Sequence, residues 1–223
     1  MNFISFDEVR RRIDGQSVAI VGSAPSCTEN DPGFIDSHDL VIRINNYRIV
    51  NKKNGTGTRT DIFYSFFGSS VRKTKEELKK DGVTLCLCKC PDSKPIESEW
   101  HEKNGKPLGV DFRYIYETRR DFWFCDTFIP GNEHFLEVFR VLDNHIPTTG
   151  FSCIQDVLKC NPGSIYITGF DFFSSGIHNV NEPWRPGRAD DPIGHDPERE
   201  LNWLRRNKDK FKTDAKLSVL LQG

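Results

Sequence analysis

Val18-Ala19-Ile20-Val21-Gly22-Ser23-Ala24-Pro25-Ser26 decides how the chain reads, because an apolar run without alternation meets a turn of small residues. Such a run, bounded by a glycine turn, is the pattern of a strand covered on both faces of a sheet. Leu40-Val41-Ile42-Arg43-Ile44-Asn45 is a second buried strand. In an open α/β sheet, ligands collect at the carboxyl ends of strands, and small residues after the first strand let a phosphate or sugar approach the backbone. Residues 22–26 and Asn45 are therefore predicted to form one edge of a nucleotide site. The plainer alternative gives Gly22 only a tight turn and Asn45 only a strand cap, and these residues alone do not separate the two.

Outward from this stretch, strands are predicted at 61–67, 83–88, 112–116 and 165–171. Ser5 and Glu8 read as a capping box opening a helix with Phe6, Val9 and Ile13 on one face. Residues 34–39 read as one helical turn, and 71–81 as an exposed helix at best. Phe135, Val138, Phe139 and Leu142 share one helical stripe, as do Phe151, Ile154, Val157 and Leu158. Strands alternating with helices, without repeats or a linker, predict an α/β fold: a single Rossmann-like nucleotide-binding domain over 1–223, with a mostly parallel sheet flanked by helices. That architecture serves many functions, so the chemistry has to come from particular residues.

The 223 residues suffice for a real core, and a net charge of −1 with interspersed signs gives no surface for nucleic acid. No run approaches the ~20 apolar residues of a membrane span, and the amphipathic N-terminus has no signal-peptide core. The expectation is a soluble, cytoplasmic chain without a transmembrane segment. Arg205, Arg206, Lys208, Lys210 and Lys212, read as one charged C-terminal helix, offer a peripheral contact with anionic lipid, although such runs are usually solvated faces. Seven cysteines, an odd number, point to reduced buried thiols. Cys86, Cys88 and Cys90 alternate along one strand; alternate residues lie about 6.6 Å apart, too far for three sulfurs to share a tetrahedral zinc without a bend. No metal site is expected.

The chemistry-bearing residues follow the second half of the chain. Thr148 and Thr149 stand where a helix needs N-caps, and with Gly150 they offer bare N–H groups to an anion. Residues 174–194 are polar and rich in Gly, Pro and Asn, a candidate lid beside the sheet's carboxyl edge. His195 precedes Asp196, a plausible N-cap, and Pro197 at the first helical position. The helix dipole there disfavours an imidazolium, which suits a general base. Glu200, in the first helical turn, is placed to orient that imidazole or to tie back the chain. The alternative makes His195 a solvent-exposed residue ahead of a capped helix. With no Asp-x-Asp pair ending a strand, a divalent-cation clamp on a diphosphate is unsupported, and a monophosphate leaving group fits better.

Residues 18–25, 35–45 (Ile35-Asp36-Ser37-His38-Asp39 into the second strand) and Gly57-Thr58-Arg59-Thr60-Asp61 together resemble the large sialyl motif of the sialyltransferases. Pro147-Thr148-Thr149-Gly150, with 165–170 behind it, resembles the small motif. His195 with Glu200 resembles the very small motif, and His178 stands where the family carries its third-motif histidine. The resemblance implies a metal-independent, inverting glycosyltransferase with no cofactor and a CMP-sugar as co-substrate. It would move sialic acid, or a related keto-acid sugar such as Kdo, to a hydroxyl of a glycan or glycolipid acceptor. Gly22, Ser23 and Asn45 would hold the CMP. Thr148, Thr149 and Gly150 would bind the donor's phosphate, carboxylate or cytidine. His178 would stabilise the departing phosphate, and His195 would take the acceptor's proton. Ser23 departs from the family's usual Asn, and Val18 from the disulfide-forming cysteine of animal members. His178 is followed by Asn179-Val180-Asn181 instead of aromatic residues and a carboxylate. No segment matches the membrane anchor and stem of Golgi members, which points to a bacterial, viral or otherwise divergent relative.

Arg43, Arg59, Arg185 and Arg188 are candidates for the sugar carboxylate, since a guanidinium fork matches it. Two other classes stand against this reading. A dinucleotide-dependent oxidoreductase lacks its G-x-G-x-x-G turn here, and the second strand ends in Arg43 and Asn45 where a ribose-binding acid is expected. A nucleotide-binding module without catalysis would leave His195 no role.

Overall fold

The apolar runs become the centre of one parallel sheet. The computed structural model describes residues 2–49, 55–68, 71–91, 124–173 and 195–223, with the backbone of two short strands between 177 and 183. β1 (Ser17–Val21) lies between β2 (Leu40–Ile44) and β6 (Ser164–Thr168), with Ile20 opposite both Ile42 and Ile167. β3 (Ile62–Ser65), β4 (Leu85–Cys88) and β5 (Asp126–Phe128) extend the sheet on the β2 side, and β9 (Lys212–Thr213) closes it beside β6. The order is β5-β4-β3-β2-β1-β6-β9, every pairing parallel.

Both faces are covered, as uninterrupted apolar strands require. On one face Ile20, Ile42, Ile62 and Ile167 meet α1 (Phe6–Ile13), α3 (Asn132–Val141), α4 (Thr149–Lys159), α5 (Pro197–Arg206) and α6 (Ala215–Leu220) through Val9, Ile13, Val138, Phe151, Ile154, Leu204 and Leu217. On the other, Phe63, Cys86 and Cys88 pack with Leu78 of α2 (Lys75–Lys80), and Ala19, Val21 and Val41 pack with Ile35. Each such aliphatic or aromatic side chain contributes about 1.5–3 kcal/mol on burial.

Several boundaries differ from the sequence reading, each for a local reason. The third strand stops at Ser65, because Phe67 takes a left-handed φ of 53°. The sixth stops at Thr168 because Gly169 has φ 74°. Ser5 caps α1 by accepting from the Glu8 N–H at 3.3 Å, but the Glu8 carboxylate turns to Arg11 and Arg12 instead of back to the cap. The reciprocal capping box sits at Thr74 and Glu77, and it gives the 71–81 stretch a real helix with Leu78 buried. The basic C-terminal run is not one helix: α5 ends at Arg206, a 3₁₀ turn covers Lys208–Lys210, and Lys212 opens β9. Among the described residues no helix is long and apolar enough to cross a membrane. The strand expected at 112–116 lies outside the described residues.

Strand order fixes where a ligand can sit. From β1 the chain proceeds to β2, β3, β4 and β5 in one direction, then returns to the far side of β1 for β6. The carboxyl ends of β1 and β6 therefore flank the topological switch point, where the connections leave in opposite directions and open a crevice.

Candidate active site

At the switch point two glycines lie against each other. Gly22 donates to the Thr168 carbonyl at 2.8 Å, and Ala24 donates to the Gly169 carbonyl at 3.0 Å. A Cβ on Gly22 would stand 2.2 Å from the Gly169 oxygen, so only glycine lets the two strand ends close. Behind them the buried Asp214 accepts from the Gly169 N–H at 3.0 Å and the Thr168 hydroxyl at 2.8 Å while capping α6. The turn that opens the crevice is thus fixed from below by a carboxylate.

The crevice holds about 290 Å³, and Gly22, Ser23, Asn45, Thr148, Thr149, Gly150, His195 and Glu200 all line it. Three sequence-predicted site residues, His178, Arg185 and Arg188, are not placed: β7 (Ile177–Asn179) pairs with β8 (Glu182–Pro183), but the His178 side chain, like the rest of the 174–194 segment, lies outside the described residues. Asn45 ends β2 in a left-handed conformation, φ 48°. Its Oδ1 accepts from the Ser65 hydroxyl at 2.9 Å, which turns the amide and leaves its Nδ2 without a partner among the described residues.

The start of α4 can be accounted for donor by donor. Thr148 is the N-cap; its hydroxyl oxygen accepts from the Phe151 N–H at 3.1 Å and donates to Glu200 Oε2 at 2.7 Å. Its own N–H donates to Glu200 Oε1 at 2.6 Å. Ser152 N–H reaches the Thr148 carbonyl at 3.0 Å. What remains facing the crevice is the N–H of Thr149, the N–H of Gly150 and the Thr149 hydroxyl, with no partners among the described residues. Both bare N–H groups sit at the positive end of an eleven-residue helix. The Thr148 hydroxyl, expected to touch the ligand, is committed to Glu200. Gly150 is required for a different reason: a Cβ there would stand 2.5 Å from the Phe170 ring.

His195 meets the same crevice from the start of α5, where Asp196 caps the helix by accepting from Arg199 N–H at 3.0 Å. Its Nδ1 lies 2.8 Å from the Ile146 carbonyl. A carbonyl only accepts, so Nδ1 carries the proton and the lone pair of the neutral ring is on Nε2. Of the two roles read for Glu200 from sequence, orienting the ring or tying back the chain, its hydrogen bonds are those of the second: it holds Thr148.

No protein-family profile and no curated protein matches the sequence. Solved structures do match. A mammalian sialyltransferase in complex with Gal-beta-1-3GalNAc-ortho-nitrophenol is 19% identical, with 95% of this chain and 73% of that one covered and a TM-score of 0.57. The monofunctional alpha-2,3-sialyltransferase Cst-I from Campylobacter jejuni is 13% identical over 97% of this chain and 84% of that one, TM-score 0.56. This is the sialyltransferase fold. A third example, CstII from the same bacterium in complex with the substrate analogue CMP-3FNeuAc, is 15% identical over 91% of this chain and 88% of its own, TM-score 0.53.

Within this sialyltransferase fold two of the arginines proposed for the sugar carboxylate do other work. Arg43 is fully buried away from the crevice; its Nε donates to the Arg59 carbonyl at 3.0 Å and the Thr60 hydroxyl at 3.1 Å, and another nitrogen to the Thr56 carbonyl at 2.6 Å. It pins the 56–60 turn. Arg59 pairs with Asp61 at 2.9 Å and with the carbonyls of His38 and Asp39, at the amino edge of the sheet, opposite the site. Arg185 and Arg188 lie outside the described residues. Residues the sequence reading missed include Lys89 and Phe66, which follow β4 and β3 into the crevice, and Phe172 and Phe173, both left-handed at φ 51° and 61°. Two consecutive aromatic residues in that region are strained, and such strain collects at functional sites.

Burial raises the Glu200 carboxyl to about 7, against the opposing pull of the Thr148 N–H, the Thr148 hydroxyl and Lys89. The folded carboxyl thus keeps its proton in a range where an unfolded glutamate, with its ordinary value of 4.5, has lost it. Its contribution to stability is therefore fully present below the unfolded value and is lost as pH rises through the folded one. Replacing Glu200 by Gln is expected to remove a pH-dependent loss of about 3 kcal/mol between about pH 4.5 and 7. Urea unfolding of both proteins across that window checks it, and parallel profiles would refute it.

Proposed function

We propose that the chain is a metal-independent, inverting glycosyltransferase that moves a keto-acid sugar, sialic acid or Kdo, from a CMP donor to a hydroxyl of a glycan or glycolipid. The observation that carries the reading is the meeting, in one crevice at the switch point of a sialyltransferase fold, of a histidine lone pair and two unpaired helix N–H groups. Gly22, Ser23 and Asn45 hold the nucleoside end, with the Asn45 amide turned to donate. The Thr149 and Gly150 N–H groups and the Thr149 hydroxyl meet the charge that develops on the phosphate as CMP leaves. Fixed donors of this kind need no reorganisation during the reaction.

His195 Nε2 accepts the proton of the acceptor hydroxyl as its oxygen attacks the anomeric carbon and the bond to the phosphate oxygen breaks. The proton ends on imidazole and the electron pair on CMP, so charge balances without another reactant. His178 is assigned to the departing phosphate, as the family resemblance implies. A single displacement inverts the anomeric centre.

Incubation with CMP-sialic acid and with CMP-Kdo, each with a panel of glycan acceptors, tests the reading by the release of CMP. Release from one donor, accelerated by an acceptor and giving a product of opposite anomeric configuration, is the expected result. No release from either donor, with or without acceptor, would overturn it.

A further inference from the structure

The crevice contains a charged group that the chemistry above does not use. Lys89 is the first residue after β4, and its N–H donates to the Ser65 carbonyl at 2.9 Å, which continues the ladder and fixes its backbone. Period-two alternation puts it in register with Leu85 and Leu87, on the face packed against α4 and α5. It is 8% exposed and lines the crevice. Among the described residues its ammonium has neither a hydrogen bond nor an ion pair. Lysines are almost never buried unless paired. Burial lowers its proton affinity, and Glu200 on the facing helix is felt across the gap without coming within ion-pair distance. Nor is Glu200 open to it as a partner, since both carboxylate oxygens already accept from Thr148.

With Arg43 and Arg59 committed elsewhere, Lys89 is the one lysine or arginine lining the crevice among the described residues. The start of α4 offers a place for one anion and Lys89 a place for a second. A nucleotide monophosphate joined to a neutral sugar carries a single negative group and would leave the ammonium unanswered. A CMP-linked keto-acid sugar carries two, the phosphodiester and the carboxylate.

We infer that Lys89 forms a carboxylate subsite, which selects an acidic sugar in the crevice alongside the phosphate held at the start of α4. The sugar is first of all the donor's; a terminal acidic sugar on the acceptor has the same chemistry. The inference rests on the CMP-sugar reading above and adds the residue that distinguishes acidic from neutral sugars.

Titration of CMP and of CMP-3FNeuAc into the wild type, Lys89→Met and Lys89→Arg tests it, with thermal melting as the check on folding. Methionine matches the stem's bulk and removes an unpaired charge, so the variant should melt no lower than the wild type. CMP affinity should stay unchanged in both variants. For CMP-3FNeuAc, Lys89→Met should lose about 10- to 100-fold, the worth of one hydrogen bond to a charged group, and Lys89→Arg should lose less. If donor affinity holds but KM rises selectively for carboxylate-bearing acceptors over neutral ones, the subsite stands and its carboxylate is the acceptor's. Equal loss for CMP and CMP-3FNeuAc, or no selective change in either assay, overturns the subsite. Absence of CMP binding by the wild type overturns the nucleotide reading and the subsite with it.

Discussion

Replacing His195 by alanine is expected to lower sugar transfer by about 10²–10⁴-fold, the usual contribution of a positioned general base, while CMP binding persists. The separation follows from geometry. His195 reaches the crevice from the start of α5, and its tie to the Ile146 carbonyl at 2.8 Å aims the basic nitrogen without using it. The crevice-lining groups to which the proposal assigns the nucleotide come from other elements, namely the turn after β1, the end of β2 and the start of α4. With Nδ1 given to that carbonyl, the neutral ring carries its lone pair on Nε2, the form a base has to take. Single-turnover rates set beside CMP titrations measure both halves. A variant that keeps most of its activity would place the base elsewhere, and one that loses CMP affinity equally would make His195 a binding group.

Asp156→Ala is expected to cost about 3–5 kcal/mol of stability, the range for leaving one partner of a buried network unpaired. Asp156 is buried on α4; its Oδ2 accepts from the Tyr64 hydroxyl at 2.6 Å, and its Oδ1 lies 2.7 Å from His134 Nε2. Burial keeps the Tyr64 phenol protonated, so it donates. Phe6 and Phe128 pack on the His134 ring at centroid distances of 4.5 and 5.4 Å. Alanine would strand a hydroxyl and a ring nitrogen in that setting and leave a void. The network also joins α4, whose start lines the crevice, to β3, whose Ser65 orients Asn45. Denaturant unfolding should show the full loss for Asp156→Ala and a smaller one for Tyr64→Phe. A loss under about 1 kcal/mol would show that the network contributes only like surface pairs.

The sequence already carried the centre of this fold, because β1, β2 and β6 are apolar runs whose only stable place is a sheet covered on both sides. Thr148 and Asp196-Pro197 were legible as helix starts, since capping depends on neighbours three residues away. Interactions set by distant parts of the chain were not. Nothing near Thr148 announces that its hydroxyl is spoken for by Glu200, fifty-two positions on. Arg43 reads as a ligand-binding guanidinium until the 56–60 turn is seen folded over it. The edge strands Asp126–Phe128 and Lys212–Thr213 are too short to show a period. Lys89 is hidden for the same reason as Asp214: each is one polar residue just past an element, and only strand order shows that it reaches the site.

The account stands most directly on where a cytidine monophosphate binds, and a crystal soaked with CMP measures that. It predicts the phosphate within hydrogen-bonding distance of the Thr149 and Gly150 N–H groups, the nucleoside against Asn45 and the Gly22-Ser23 turn, and His195 Nε2 facing the same ligand. CMP bound away from the carboxyl ends of β1 and β6, or no CMP in the crevice at millimolar concentration, would contradict it.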